Sequence, residues 1–212
     1  MQPIDSLRAS KAFLSLSLNN QIANSWQALA WVLTWMQDHF ETYDVVVGDY
    51  LQRHNEAIEA GQNDDRAMSN AVDRGRQMIT AVERLLPKGS ARGVKVIASS
   101  DLAKDVSFPE RLRRLQAWNA DSIGFGILTS TAVDYFLKRK HPAHMLDPVA
   151  REHSVSYQLE ELALFEILVE AGYKVHIYPG TQLPILTAIV SGKVEVPQTP
   201  LHSLILGELR IY

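Results

Sequence analysis

Apolar side chains recur along this chain in two rhythms, and the alternation between them predicts its elements. Residues 12–18 (AFLSLSL) alternate apolar groups with Ser15 and Ser17, which predicts a first strand carrying small polar groups on one side. Asn19, Asn20 and Gln21 break it, and Asn24 or Ser25 caps a helix over 26–40 whose apolar stripe is Trp26, Leu29, Ala30, Leu33, Met36 and Phe40. Trp31 and Trp35 fall off that stripe, which predicts burial on a second side. Residues 43–48 form a continuous β-branched run of the kind found in buried parallel strands, ended by Asp49. Strand, helix and strand make a βαβ unit with a right-handed crossover.

Further on, helices are predicted over 52–60 and 66–86, separated by a polar break at 61–65, the second stopped by Pro87 and Gly89. A third strand is expected at 94–99, then helices over 108–119, opened by Pro109, and 122–140, ended by Pro142. A long helix starts at Asp147-Pro148 and runs to about Ala171, with Gly172 as its stop. Residues 174–178 (KVHIY) are a fourth strand, 183–191 a short helix, and 201–212 a last strand. Strands alternating with helices predict an α/β fold with a mostly parallel sheet of about five strands, in a single domain over residues 1–212.

The composition of the 212 residues, 46% hydrophobic and 21% charged, excludes a disordered or collagen-like chain. No apolar stretch is long enough for a membrane span, and residues 1–10 lack the apolar centre of a secretory signal, so a cytoplasmic protein with no membrane partner is expected. With no cysteine, disulfides, thiol catalysis and Cys-based zinc sites are excluded. Net charge is −3, yet the bases are unevenly spread. Between 66 and 95 lie Arg66, Arg74, Arg76, Arg84, Lys88, Arg92 and Lys95 against Asp73 and Glu83, seven bases to two acids. Smaller clusters follow at Arg111, Arg113, Arg114 and at Lys138, Arg139, Lys140. Such runs are either solvated helix faces or surfaces that meet phosphates.

Common enzyme motifs are missing: no GxxxxGK loop, no HExxH, no GxSxG elbow. Gly124-Phe125-Gly126 follows no predicted strand and has Thr129 where a dinucleotide fingerprint needs its third glycine. His141, His144 and Asp147 are read as solvent-facing rather than as metal ligands, and no metal or cofactor is expected. Two places carry more. Ser17 sits at the carboxyl end of the first strand, where open parallel sheets build their sites. On the long helix, Tyr157, Glu161, Leu164, Phe165 and Leu168 recur at spacings of four and three, so one face carries a carboxylate among apolar groups. Either Glu161 lies at the stripe's edge and snorkels, as its neighbour Glu160 is free to do, or it is a buried carboxylate beside a phenol, suited to grip an ammonium group and move protons. The fourth strand delivers another phenol, Tyr178, followed by Pro179-Gly180.

Ser17 with Asn20 three positions on, the following helix ending at Phe40, and VVVGD at the second strand resemble the opening of the cyclodipeptide synthases. Tyr157-x-x-x-Glu161 on a long helix and the later Ile177-Tyr178-Pro179 resemble that family's closing half, and the similarity spans about residues 10–195. Asn20 matches one branch of the family and Pro179 the other.

The resemblance implies a Rossmann-like domain similar to the catalytic domain of class I tyrosyl- and tryptophanyl-tRNA synthetases. It implies an ATP-independent enzyme that joins amino acids from two aminoacyl-tRNAs into a diketopiperazine. By this analogy Ser17 accepts the first aminoacyl group as an ester, Tyr157 and Glu161 hold its α-amine, and Tyr178 positions the Ser17 hydroxyl. The amine of the acyl-enzyme, or of the second substrate, then attacks the neighbouring ester, and ring closure frees Ser17. Phe13 and Ser15 would line the pocket for the first aminoacyl group, with Leu164 and Phe165 opposite and Asn20 and Pro179 nearby, favouring a small residue. Arg66, Arg74, Arg76, Arg84 and Lys88 would meet tRNA. The alternative is a tRNA- or nucleotide-binding module of the same fold without transferase chemistry. A monomer is expected, though nothing in the sequence dictates the oligomeric state.

Overall fold

A computed structural model describes residues 4–20, 22, 25–60, 64–86, 93–197 and 199–209. The strands are β1 (Lys11–Leu16), β2 (Thr42–Val47), β3 (Val96–Ala98), β4 (Val175–Tyr178) and β5 (Ile205–Glu208). The helices are α1 (Trp26–His39), α2 (Asp49–Ala60), α3 (Asp64–Leu85), α4 (Ser99–Leu102), α5 (Phe108–Asp121), α6 (Ile123–Lys140), α7 (Pro148–Glu170) and α8 (Pro184–Val190). The strands form one parallel sheet in the order β3-β2-β1-β4-β5. The order reverses between β1 and β4, which opens a crevice beyond their carboxyl ends.

Period-two alternation decides what enters that crevice. On β1, Ala12, Leu14 and Leu16 pack with Leu29, Val32, Leu33 and Met36 of α1 on one side of the sheet. Phe13 points to the other side, into the core built on Leu162, Leu164, Phe165 and Leu168 of α7. On β4, Val175 and Ile177 join the α1 side, so His176 and Tyr178 face α7. Ser15 shares the Phe13 side, and Ser17, one repeat on, falls just beyond the strand.

Helix α7 is held at every level. Asp147 caps it by accepting from the Val149 amide at 2.9 Å, and Pro148 occupies the first turn. It ends where Gly172, at φ +92°, turns the chain so that the Tyr173 amide donates to the Leu168 carbonyl at 3.1 Å. Within it, Glu166 is fully buried, accepting from Arg111 at 3.4 Å, from Arg114, and from the Thr199 hydroxyl at 2.6 Å. That network ties α5 and the 3₁₀ turn Pro200–Ser203 to α7.

Several expectations need correction. Trp26 and Trp31 are 54% and 48% exposed, because α1 reaches the sheet only through its Leu29–Met36 face. The last strand begins at Ile205, since Pro200 starts a 3₁₀ turn that no strand can contain. The cap at Asn24, the stops at Pro87 and Gly89, and residues 210–212 lie outside the described residues. No described helix is long and apolar enough to cross a membrane.

Candidate active site

At the β1–β4 crevice lies a cavity of about 350 Å³, counted with its open mouth. Ser15, Leu16 and Ser17 of the first strand and its end line it, with Val46, Gly48 and Leu51 from β2 and α2, Ser99 from α4, Tyr157, Glu161, Leu164 and Phe165 from α7, and Tyr178 from β4. Three elements distant in sequence therefore bring the Ser17 hydroxyl, one carboxylate and two phenols to a single space.

The Ser17 hydroxyl lies beside both phenols, Tyr157 and Tyr178, close enough to draw each phenol's pKa down. Burial, then the charge of Glu161, pushes both phenols' pKa up, so they remain protonated and serve as hydrogen-bond partners rather than bases. Glu161 has no hydrogen-bond or ion-pair partner among the described residues, and burial alone raises its pKa to about 7. Tyr157 and Glu161 keep partial exposure only because they face the cavity. Glu161 is thus the one wall group able to take or give a proton near neutral pH.

The loop after Ser17 is tightly fixed. The Asn20 amide donates to the Ser17 carbonyl at 3.0 Å, and the Asn20 side chain donates to the Pro179 carbonyl at 2.7 Å and bonds the Tyr178 phenol. Gly180, at φ +152°, completes the turn; a Cβ there would meet the Tyr178 ring at 3.1 Å. Asn20 and Pro179 thereby join the ends of β1 and β4 rather than line the cavity.

Phe13 does not line the cavity, which corrects its assignment. It is fully buried behind the wall, its ring stacked on His176 at 4.6 Å and tilted against Phe165 at 5.4 Å. Ser15, Leu164 and Phe165 do line it, Leu164 and Phe165 belonging also to the core.

Of the basic residues, Arg74 is only partly exposed and already engaged. Its guanidinium is taken up by Glu56, the Asn19 side chain at 3.0 Å and the Leu18 carbonyl at 3.4 Å, so it pins the loop after Ser17. The reason is angular: at about a hundred degrees per residue, Arg74 lies about 160° around α3 from Arg76. Arg76 is exposed and paired with Asp73 at 3.1 Å, while Arg66 and Arg84 are exposed. Lys88 lies outside the described residues.

Three features escaped the sequence reading. Glu160 is buried, not snorkelling: it binds Arg53 at 2.6 Å and His54 Nε2 at 2.9 Å, and His54 Nδ1 meets His153 Nδ1 at 3.1 Å. This cluster clamps α7 to α2 behind Tyr157, whose ring lies 6.5 Å from that of His54. His153, Tyr157 and Glu160 recur at four and three, the spacing that signals a second polar face. Arg139, at the end of α6, is near enough that its charge draws the Tyr178 pKa back down. His141 is buried against Phe136, with rings 5.3 Å apart, instead of facing solvent, while His144 and Asp147 are partly exposed. No cluster of three metal-ligating side chains occurs among the described residues.

A parallel sheet with this strand order and a hydroxyl–carboxylate cavity at its switch point defines a Rossmann-like α/β domain. The family model described as "Cyclodipeptide synthase" matches residues 7–200, and the chain belongs to that family. Solved structures agree on the fold. A cyclodipeptide synthase from Fluoribacter dumoffii superposes with a TM-score of 0.80 at 19% identity, covering 88% of this chain and 84% of its own. A Mycobacterium tuberculosis protein, described as demonstrating that cyclodipeptide synthetases are related to type I tRNA synthetases, gives 0.72 at 18% identity, covering 97% and 86%. The enzyme from Candidatus Glomeribacter gigasporarum, solved bound to Phe-tRNAPhe, gives 0.56 at 20% identity, covering 93% and 86%. Among curated proteins none matches the chain significantly in sequence.

Proposed function

We propose that this protein takes amino acids from two aminoacyl-tRNAs and joins them into a cyclic dipeptide through an ester on Ser17, without ATP. One observation carries the reading: a serine hydroxyl beside two neutral phenols and an unpartnered carboxylate on one cavity wall. No base strong enough to ionise serine faces the cavity, so the electrophile must already be activated, as an aminoacyl-tRNA ester is. Ser17 Oγ attacks that carbonyl, the bond to the ribose oxygen breaks, and the serine proton passes to the departing ribose, relayed by its vicinal hydroxyl. Tyr178 positions Oγ throughout.

The α-amine of the bound residue then lies beside Tyr157 and Glu161. An ammonium there draws the Glu161 pKa down and leaves the carboxylate ionised to accept its proton. The freed amine attacks the second aminoacyl ester, forming an amide bond and releasing the second tRNA. The new amino terminus attacks the Ser17 ester, closes the ring and returns the hydroxyl. Holding both residues on one serine makes closure unimolecular, worth several kcal/mol. Phosphates of the incoming tRNA would meet Arg66, Arg76 and Arg84 on α3 and the exposed Arg139 at the end of α6.

The test is expression in bacteria with mass spectrometry of the medium, and intact-protein mass after mixing with charged tRNA. Diketopiperazines are expected from the parent, together with an adduct equal to one aminoacyl group. Both should vanish in Ser17→Ala. Continued production by Ser17→Ala would overturn the covalent route, and tRNA binding with no product from the parent would leave a binding module.

A further inference from the structure

The cavity wall holds one polar group that the proposed chemistry does not use. Of its hydroxyls, Ser17 is the nucleophile and Tyr157 and Tyr178 lie beside it. Ser99 is already committed, donating to Asp49 at 2.8 Å and accepting from the Tyr50 amide at 2.9 Å. Ser15 remains. Its one hydrogen-bond partner among the described residues is His176, whose Nε2 lies 3.0 Å from Ser15 Oγ.

Which of the two donates is decided at the other end of the ring. His176 is buried to 2% exposure, and its Nδ1 has no partner. Burial drives its pKa to about 3, so the ring is neutral and carries a single proton. A proton on Nδ1 would leave a buried donor orphaned, which proteins avoid more strictly than an orphaned acceptor. The proton therefore sits on Nε2 and is donated to Ser15 Oγ. That frees the Ser15 proton to be donated elsewhere, and Ser15 lines the cavity.

Size restricts what can receive it. Ser15 lies two residues below Ser17 along β1, about 7 Å between their Cα atoms. Behind Ser15 the Phe13, Phe165 and His176 rings pack with centroids 4.6–5.4 Å apart and leave no deeper space. A residue esterified to Ser17 has space there for a few side-chain atoms. The remaining wall, Val46, Leu164 and Phe165, is apolar, and Glu161 gives the space a negative character that repels an acidic side chain.

We propose that Ser15, oriented by His176, selects a first aminoacyl group whose small side chain carries a hydroxyl, so that seryl is taken in preference to alanyl. The proposal rests on the reading that Ser17 receives the first aminoacyl group. An alanyl group would leave the Ser15 proton unpaired in a desolvated space, the situation in which sites built to bond a hydroxyl discriminate most strongly.

The experiment offers purified protein seryl-tRNA, alanyl-tRNA or leucyl-tRNA and tracks the aminoacyl adduct by intact mass. Seryl transfer is expected to be about tenfold faster than alanyl, with leucyl slower still. In Ser15→Ala the seryl-to-alanyl ratio should fall by about tenfold. His176→Phe keeps a ring stacked on Phe13 but has no donor, and should shift the ratio in the same direction with thermal unfolding monitored alongside. A parent that accepts alanyl or leucyl as readily as seryl overturns the selectivity and leaves the Ser17 ester standing, as does a Ser15→Ala protein that keeps the seryl preference. No adduct from any of the three tRNAs overturns the seryl preference, and the Ser17 reading falls with it only where a mixture of all charged tRNAs also gives no adduct.

Discussion

Glu161 illustrates how a single residue trades stability for reactivity. Its pKa rises from 4.5 to about 7 because no cation or donor among the described residues compensates its burial. A carboxyl whose folded pKa is raised above its unfolded value weakens the fold once it must ionise. The cost is absent below about pH 4.5 and complete above about pH 7. Glu161→Gln removes it, so this variant should be more stable than the parent at pH 8 by on the order of 2–3 kcal/mol, with the difference gone at about pH 4. Denaturant titrations at the two pH values measure this directly. The same variant should make no product, and the parent's rate at limiting aminoacyl-tRNA should rise with pH through about 7 as the carboxyl of the free protein ionises.

At the scale of elements, the site depends on helices meeting at fixed distances. Helix α7 turns three faces to three neighbours. Tyr157 and Glu161 face the cavity, Glu160 is clamped by Arg53 and His54 of α2, and Glu166 is held by Arg111 and Arg114 of α5. Helix α2 in turn is set by α3. Gly75 approaches the start of α2 so closely that a Cβ would fall 2.3 Å from Asp49 Cβ. Asp49 cannot easily yield, because it accepts from Ser99 Oγ at 2.8 Å, the Ser100 amide at 2.9 Å and Ser100 Oγ at 2.6 Å. Gly75→Ala should therefore destabilise the protein by about 1–3 kcal/mol despite its better helix propensity, as thermal unfolding would show. It should also reduce activity, since Arg74 beside it fixes the loop after Ser17.

For the whole molecule, a net charge of −3 means that any attraction for tRNA is local. Arg76 and Arg84 lie on the exposed side of α3, and Arg139 stands near the cavity. Reversing Arg76 and Arg84 together should lower product formation roughly tenfold and flatten its dependence on salt, by about 0.9 in log–log slope for each phosphate no longer neutralised. Arg139→Glu should act at the site itself and raise the Tyr178 pKa, because the present cation lowers it. Initial rates over a salt series separate the two effects. Unchanged rates in both variants would remove these surfaces from tRNA recognition.

Much of this was legible in the chain alone, for a physical reason: the rhythm of apolar residues is set by local geometry. Alternation on β1 and β4 places Ser15, Ser17, His176 and Tyr178 on one side of the sheet, and the four-and-three spacing on α7 puts Tyr157 and Glu161 on one face. Pairings that depend on distance in space were hidden. Arg74 reads as an open cation until Glu56, the Leu18 carbonyl and the Asn19 side chain meet it. Glu160 reads as a surface acid until Arg53 and His54 close on it. Phe13 reads as pocket wall until His176 stacks across it and Ser15 becomes the floor. Periodicity determines which side of an element a residue occupies. Only the tertiary structure decides whether that side meets a partner, water or an empty space, because partner and burial come from residues far away in sequence.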